Sequence, residues 1–404
     1  MLAATLRTVR DLDIAQESTA DAFLLALQSW PTTGVPTSME AWLITAARRR
    51  AVDRVRRAQV ARRSLVRMAG GWSGVSAGAD VIAEAAVVGD DELRMVVLCC
   101  DARLSQDDQV ALTLRLACGV STAAVAAGFG INTASMAARL TRAKARLVRG
   151  GPLLDLPDDA TVDLRLPAVA RVIHLAFILG HTCADGAELM DEDLADRAQY
   201  LAGVLHALRP GSPSLTALLA LILLTRARAG GRFDDTGEQV LLADADRSRW
   251  DRALVRAGTS LLTMAVRAAE VATAGGATED PMILQAAIAA ECSTATSFAE
   301  TDWGRVVDLY GRLLTLDPSP GFALGRCVAL SHLSGPAVGL ADLDGVLASG
   351  LLDRSPYAPA ARAQMLERLG RSGEARGEWL SARDRAGTGA QRDYFAARIS
   401  PPDQ

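Results

Sequence analysis

Between Ser121 and Leu147 the sequence STAAVAAGFGINTASMAARLTRAKARL sets two helix-forming runs on either side of a short turn, Gly128-Phe129-Gly130-Ile131. Ser121 is placed to cap the first run and Asn132 the second, because a side-chain oxygen there satisfies an amide left open in the first turn. In the second run Met136, Leu140, Ala143 and Leu147 recur at helical spacing, while Ser135, Arg139, Arg142 and Arg146 fall on the other side. One face docks; the other is cationic. A helix, a short turn and a second helix of this kind seat the second helix in a DNA major groove, its first residues on base edges and its later cations on phosphates. An ordinary amphipathic hairpin with a solvated charged face shares the two-faced pattern, but it has no need of so short a turn.

A second cationic helix is written between Trp30 and Arg57, WPTTGVPTSMEAWLITAARRRAVDRVRR. Proline and glycine place Pro31 to Pro36 outside any helix, Ser38 is a cap, and Leu43, Ala47, Ala51 and Val55 form an apolar stripe. Arg48, Arg49, Arg50, Arg54, Arg56 and Arg57 crowd the remaining surface, with Asp53 alone among them. One carboxylate cannot neutralise six guanidinium groups, so a polyanionic partner is the natural complement. Trp30 and Trp42 are expected as core anchors, since tryptophan is usually buried.

Composition agrees with a helical protein. Half of the 404 residues are apolar, only 4% are aromatic, and glycine and proline fall mostly between periodic stretches, which favours an all-α fold. The net charge of −4 conceals an asymmetry: residues 1–150 hold 19 basic and 14 acidic side chains, and the remainder 24 and 33. The basic portion is the candidate nucleic-acid binder. The six cysteines lack C-x-x-C spacing and pair with no histidine at metal-ligand intervals, so they read as reduced, packed thiols with no metal and no cofactor. Met1 to Arg10 has no long apolar run, and Leu215 to Leu224 is about half the length of a membrane span, so a cytoplasmic location without membrane contact is expected.

Four sections follow along the chain. Residues 1–67 are helical and arginine-rich at their end; 68–91, with Gly70-Gly71, Gly74, Gly78 and Gly89, has the composition of a flexible linker. Residues 92–150 form a compact helical segment closed by Gly150-Gly151-Pro152, and 151–404 form a long helical extension. From about residue 281 the extension shows helix-pair spacing. Trp303 to Leu316 is amphipathic through Val306, Leu309 or Tyr310 and Leu313; Gly321 to Leu333 packs back, and Ala358 to Leu369 with the segment from Glu374 repeats the pattern. These resemble degenerate tetratricopeptide units, antiparallel pairs that stack to bury a face none buries alone. Asp244 to Asp251 form the densest polar cluster and are expected as a structural network around Trp250, while His174 and His181 are expected to pack.

The run V-A-x-x-F-G-I-N-x-x-S-M-x-x-R-L-x-R-A-K-x-R-L resembles region 4 of extracytoplasmic-function (ECF) sigma factors, the module that recognises the promoter −35 element. That resemblance implies Thr133, Ser135, Met136, Arg139, Arg142 and Lys144 at or near DNA. The Trp30 to Arg57 stretch resembles regions 2.3 and 2.4, which capture an unstacked base of the −10 element and follow the opened strand with Arg48, Arg49, Arg50, Arg54, Arg56 and Arg57. Asp11 to Phe23 looks like region 2.2, implying that Asp11, Asp13, Gln16, Glu17 and Asp21 face core RNA polymerase. Family members usually carry an acidic pair and then a glutamine where this chain has Gln16-Glu17 and Ala20, and begin about a helical turn or more earlier, so either a misplaced start or weakened polymerase binding is expected. A subgroup of the family carries a long helical extension, and VIHLAFILGHT, LLADADRSRWDRAL and DPMILQAAIAA resemble its blocks.

The resemblance implies promoter DNA and core RNA polymerase as partners, with the extension engaging either its own chain or another protein. Its acidity suits a regulatory role in cis. Two alternatives stay open: a DNA-binding regulator of sigma ancestry without polymerase recruitment, and a helical-repeat scaffold. No nucleophile–base pair, P-loop or dinucleotide fingerprint is present, so no enzymatic activity is expected.

Overall fold

A computed structural model describes residues 1–9, 11–68, 91–129, 131–149, 159–181, 192–234, 240–272, 279–353, 355–387 and 389–399. Every regular element among them is helical, with no β-strand. The chain divides into two compact units, Met1–Val172 and Ile173–Gln404, with the division inside one helix. The expected linker at 68–91, apart from its end residues, the Gly150-Gly151-Pro152 stop and Cys183 lie outside the described residues.

The first unit begins with α1 (Leu2–Val9), α2 (Leu12–Thr33) and α3 (Met39–Met68), which pack on one another. Asp11 caps α2 by accepting from the Ile14 amide at 2.9 Å, and Ser38 accepts from the Ala41 amide at 3.4 Å at the start of α3. Ala47 and Ala51 of the expected stripe are fully buried, as are Ala15 and Ala22 of α2. Small residues at these crossings let the two backbones approach closely.

The expectation that Pro31 to Pro36 stand outside any helix is corrected in part, because α2 continues to Thr33 with Pro31 inside it. A proline there costs only the bond to the carbonyl of Leu27, a residue largely exposed at this end of the helix. The hydroxyls of Thr32 and Thr33 both donate to the Ser29 carbonyl at 2.9 Å and hold the last turn together. Gly34 then stops the helix at φ 82°, a conformation that disfavours a side chain, with its N–H on the Trp30 carbonyl at 3.0 Å.

Four more helices follow in the first unit: α4 (Asp91–Cys99), α5 (Gln106–Leu116), α6 (Thr122–Gly128) and α7 (Thr133–Arg149). Ser105 caps α5 by accepting from the Asp108 amide at 3.2 Å. Cys99, Cys100 and Cys118 are buried here, and burial pushes the Cys100 thiol up to about 12. The helix α8 (Asp159–His181) comes next; its Arg165 meets buried Asp101 at 2.8 Å.

The second unit continues through α9 (Glu192–Leu208), α10 (Pro213–Arg226), α11 (Arg252–Ala272) and α12 (Pro281–Thr294). Pro213–Gly231 is the single stretch among the described residues apolar and long enough to cross a membrane, yet Leu218, Ile222 and Leu224 within it are fully buried. It is apolar all round because α9, α11 and α12 surround it. At Gly258 of α11 a Cβ would lie 2.7 Å from Leu224 Cγ, so this crossing needs glycine.

From α12 onward each helix packs on the next: α13 (Trp303–Leu316), α14 (Pro320–Leu333), α15 (Pro336–Leu347), α16 (Tyr357–Arg368), α17 (Ser372–Arg385) and α18 (Gly389–Ile399). Val306, Leu309 and Leu313 are the buried face of α13, as their spacing requires. Arg362 of α16 joins Asp344 of α15 to Glu378 of α17, at 3.0 and 2.7 Å. The Asp244 to Asp251 cluster is structural. Trp250 is buried beneath the Arg247 guanidinium at 4.6 Å, Arg247 donates to the Cys292 and Ala295 carbonyls, and Asp251 caps α11.

Candidate nucleic-acid interface

The interface is built on α7. Asn132 Oδ1 accepts from the Ser135 amide at 2.8 Å, and Ser121 Oγ accepts from the Ala124 amide at 3.0 Å, so both helices of the pair start where their caps dictate. Met136, Leu140, Ala143 and Leu147 are buried, and α7 packs on α5 and α6 through this face. Thr133, Ser135, Arg142, Arg146 and Arg149 remain exposed. The exposed edge therefore carries two hydroxyls beside the open N–H groups of the first turn, then a line of guanidinium groups. Such an edge can donate to phosphates and to base edges.

Three of the α7 residues expected at DNA, Met136, Arg139 and Lys144, are engaged within the unit. Met136 is fully buried and belongs to the docking face, so in this arrangement it supports the helix and cannot touch DNA. Arg139 is half-buried; its Nε meets Asp108 at 2.8 Å and its Nη2 meets Asp107 at 3.0 Å, with the Phe129 ring 5.3 Å from its guanidinium. Asp108, itself buried, also meets Arg146 at 3.4 Å. The bond to Asp108 raises the Arg139 pKa, and the pair fixes α7 against the start of α5.

The α3 arginines divide in the same way. Arg49, Arg50, Arg56 and Arg57 are exposed, whereas Arg48 donates to the Ala4 carbonyl at 3.4 Å and Arg54 clasps Glu17 and Asp21, the latter at 2.7 Å. Beside the exposed pair lies a recess of about 580 Å³ lined by Leu25, Pro36, Ser38, Trp42, Arg49 and Arg50. Trp42 stands edge-on to Trp30 with ring centroids 5.5 Å apart, both half-buried, so each packs while Trp42 also walls the recess. A pocket of this kind with cations at its mouth suits an unstacked base and its phosphates.

All five residues expected to face a polymerase are engaged within the unit. Asp11 caps α2, Glu17 and Asp21 hold Arg54, and Asp13 and Gln16 both accept from Lys144 Nζ of α7. Local spacing gives no sign of the Lys144 or Arg139 pairings, because their partners lie 131 and about thirty residues away in sequence. The described residues contain no group of three or more metal-ligating side chains.

Comparison with known proteins sets these observations in a family. The chain is 36% identical over 380 residues to an uncharacterized protein of Rhizobium meliloti, covering 93% of this chain and 86% of the relative. It is 33% identical over 138 residues to the ECF RNA polymerase sigma factor SigK of Mycobacterium ulcerans, covering 33% of this chain and 70% of that protein. SigK of Mycobacterium tuberculosis matches at 35% identity over 94 residues, 22% of this chain and 48% of the relative. Residues 165–266 match a family of unknown function, DUF6596.

Proposed function

The chain belongs to the family of the ECF RNA polymerase sigma factors, and on that premise we propose that it recruits core RNA polymerase to specific promoters and initiates transcription. α7 reads the −35 element through Thr133, Ser135 and Arg142, and the exposed α3 arginines Arg49, Arg50, Arg56 and Arg57 follow the opened −10 strand. The observation that carries this reading is the exposed edge of α7, cationic and capped at Asn132, opposite a face buried on α5 and α6. The protein acts by binding and positioning, without catalysis of its own. The helical extension, tetratricopeptide-like from about residue 281, regulates or supports that activity in cis, so a chain ending at Gly151 should differ from the full chain in promoter-dependent transcription. Equal activity of the two would remove this role from the extension.

A second reading is favoured by one specific feature, the internal pairing of Asp13, Gln16, Glu17 and Asp21. With these residues occupied, the chain would be a DNA-binding regulator of sigma ancestry that does not hold polymerase. Co-purification with core RNA polymerase separates the two. A stoichiometric complex is the expected result; promoter binding without polymerase would select the regulator.

A further inference from the structure

The second unit carries an open-mouthed cavity of about 410 Å³ between α10, α12, α13 and α14, walled by Ile288, Trp303, Val306, Tyr310 and Phe322. At Gly325 of α14 a Cβ would fall 2.6 Å from the Tyr310 ring, so the absence of a side chain there is what lets Tyr310 lie back against the wall. Thr225, Arg228 and Leu242 also line a smaller recess of about 240 Å³ that continues to His181, Arg232 and Trp250. The size suits a small organic molecule, and the walls are mostly apolar and aromatic.

The exception is Arg228. Its guanidinium lines both spaces and has no hydrogen bond or ion pair to any described residue, and Cys292 and Tyr310 are the titratable groups beside it that would favour its charge. Both are held neutral: burial raises the Cys292 thiol and pushes the Tyr310 hydroxyl up to about 12. His174 and His181, on the same walls, are driven neutral by burial. The other nearby cations have partners of their own, Arg232 on the His181 carbonyl and Arg247 on the Cys292 and Ala295 carbonyls. No described carboxylate lines either space. A guanidinium keeps its proton even when buried, so among the described residues Arg228 is a largely desolvated charge without a counter-charge.

We infer that this cavity binds a small organic anion, with a carboxylate or phosphate head on Arg228 and an apolar body among Ile288, Trp303, Tyr310 and Phe322. The planar fork of Arg228 fits either head through paired N–H donors, and the aromatic walls fit an aliphatic or aromatic body.

The full chain is titrated with 8-anilinonaphthalene-1-sulfonate, an aromatic anion, and the bound probe is displaced with decanoate or its uncharged analogue 1-decanol. Saturable binding at one equivalent is expected, with decanoate the stronger competitor. Arg228→Met should weaken both anions by about tenfold or more, the effect of removing one charge-assisted pairing, while leaving 1-decanol nearly unchanged. The same variant should melt above the parent chain in the absence of ligand, because it removes an unpaired, largely desolvated charge. Should Arg228→Met not fold, Ile288→Trp, which fills the apolar end, should abolish probe binding with the helical signal intact. Absence of saturable binding, or equal anion affinity in the parent chain and the folded variant, would overturn the inference. The assay contains neither DNA nor polymerase, so its failure leaves the promoter reading untouched.

Discussion

Lys144 of α7 donates to the carboxylate of Asp13 in α2, a residue 131 positions earlier in the chain, and to Gln16 one helical turn on. A cation expected on DNA is thereby held by residues expected on polymerase. In this arrangement the helix proposed to read the −35 element and the helix proposed to face polymerase hold each other, and an exposed pair of this kind is worth at most about 1 kcal/mol. It favours this arrangement without locking it. Asp13→Asn should therefore raise the affinity of the chain for promoter DNA in the absence of polymerase, by up to about fivefold at low salt. Equal affinity of parent and variant in a fluorescence-anisotropy titration would show that the pair places no restraint on α7.

The exposed arginines should act on DNA phosphates. Arg49→Glu, Arg56→Glu and Arg142→Glu, made singly, should each weaken promoter binding and lower the slope of log affinity against log salt by about 0.9 for each phosphate no longer neutralised. Arg139→Ala should behave differently, because its partners are Asp107 and Asp108. Its main effect should be a lower melting temperature, with the salt slope nearly kept. A large change in slope for Arg139→Ala would put that residue on DNA after all.

Asp101 offers a pH test of the first unit. It is buried, and the Arg103 guanidinium, aided by the backbone N–H of Arg103 and by Arg165, holds its carboxyl down to about 2 against burial. A carboxylate whose pKa is depressed on folding contributes stability that is full above its unfolded value near 3.9 and is lost as pH falls toward 2. The contribution is about 2 kcal/mol. Asp101→Asn should lower the melting temperature at pH 7 and flatten its dependence between pH 4 and pH 2. An unchanged acid profile would contradict the arrangement.

Histidines give the extension a dependence at milder pH. Burial drives the His174 pKa down to about 4 and that of His181 to about 3, and His332 is lowered to about 4 by burial and Arg368. Each is neutral when folded and protonates near 6.5 when unfolded, so the stability they lend is full above 6.5 and falls as pH drops toward 4. Thermal unfolding of the full chain between pH 7 and pH 4.5 should shift downward before carboxylates titrate. His174→Gln with His181→Gln should remove most of that slope.

The helix starts at Ser38, Ser121 and Asn132 are legible in the sequence because a cap is decided within three residues, and the buried faces of α7 and α13 because helical spacing sorts them. Packing across distant parts of the chain is not. Nothing near Lys144 names Asp13, nothing near Arg139 names Asp107 and Asp108, and the paired arginines Arg48 and Arg54 look the same in sequence as the exposed Arg49 and Arg56. Met136 suits apolar support by its spacing and DNA by its motif; its complete burial decides for support. Pro31 misleads because a proline in a last turn forfeits a single bond, which the sequence alone cannot weigh against the hydroxyls of Thr32 and Thr33. Arg228 sits in an ordinary-looking RAR triplet, and only the meeting of α10 with α12, α13 and α14 leaves it facing an apolar cavity.

Run-off transcription with purified core polymerase tests whether this chain directs RNA polymerase through two cationic helices. The parent chain should yield transcripts from its own promoter, and the triple variant Arg49→Glu, Arg56→Glu, Arg142→Glu should yield none while retaining the parent's helical content and melting behaviour. Transcripts at the parent level from that folded variant would mean that these helices do not carry promoter-directed initiation.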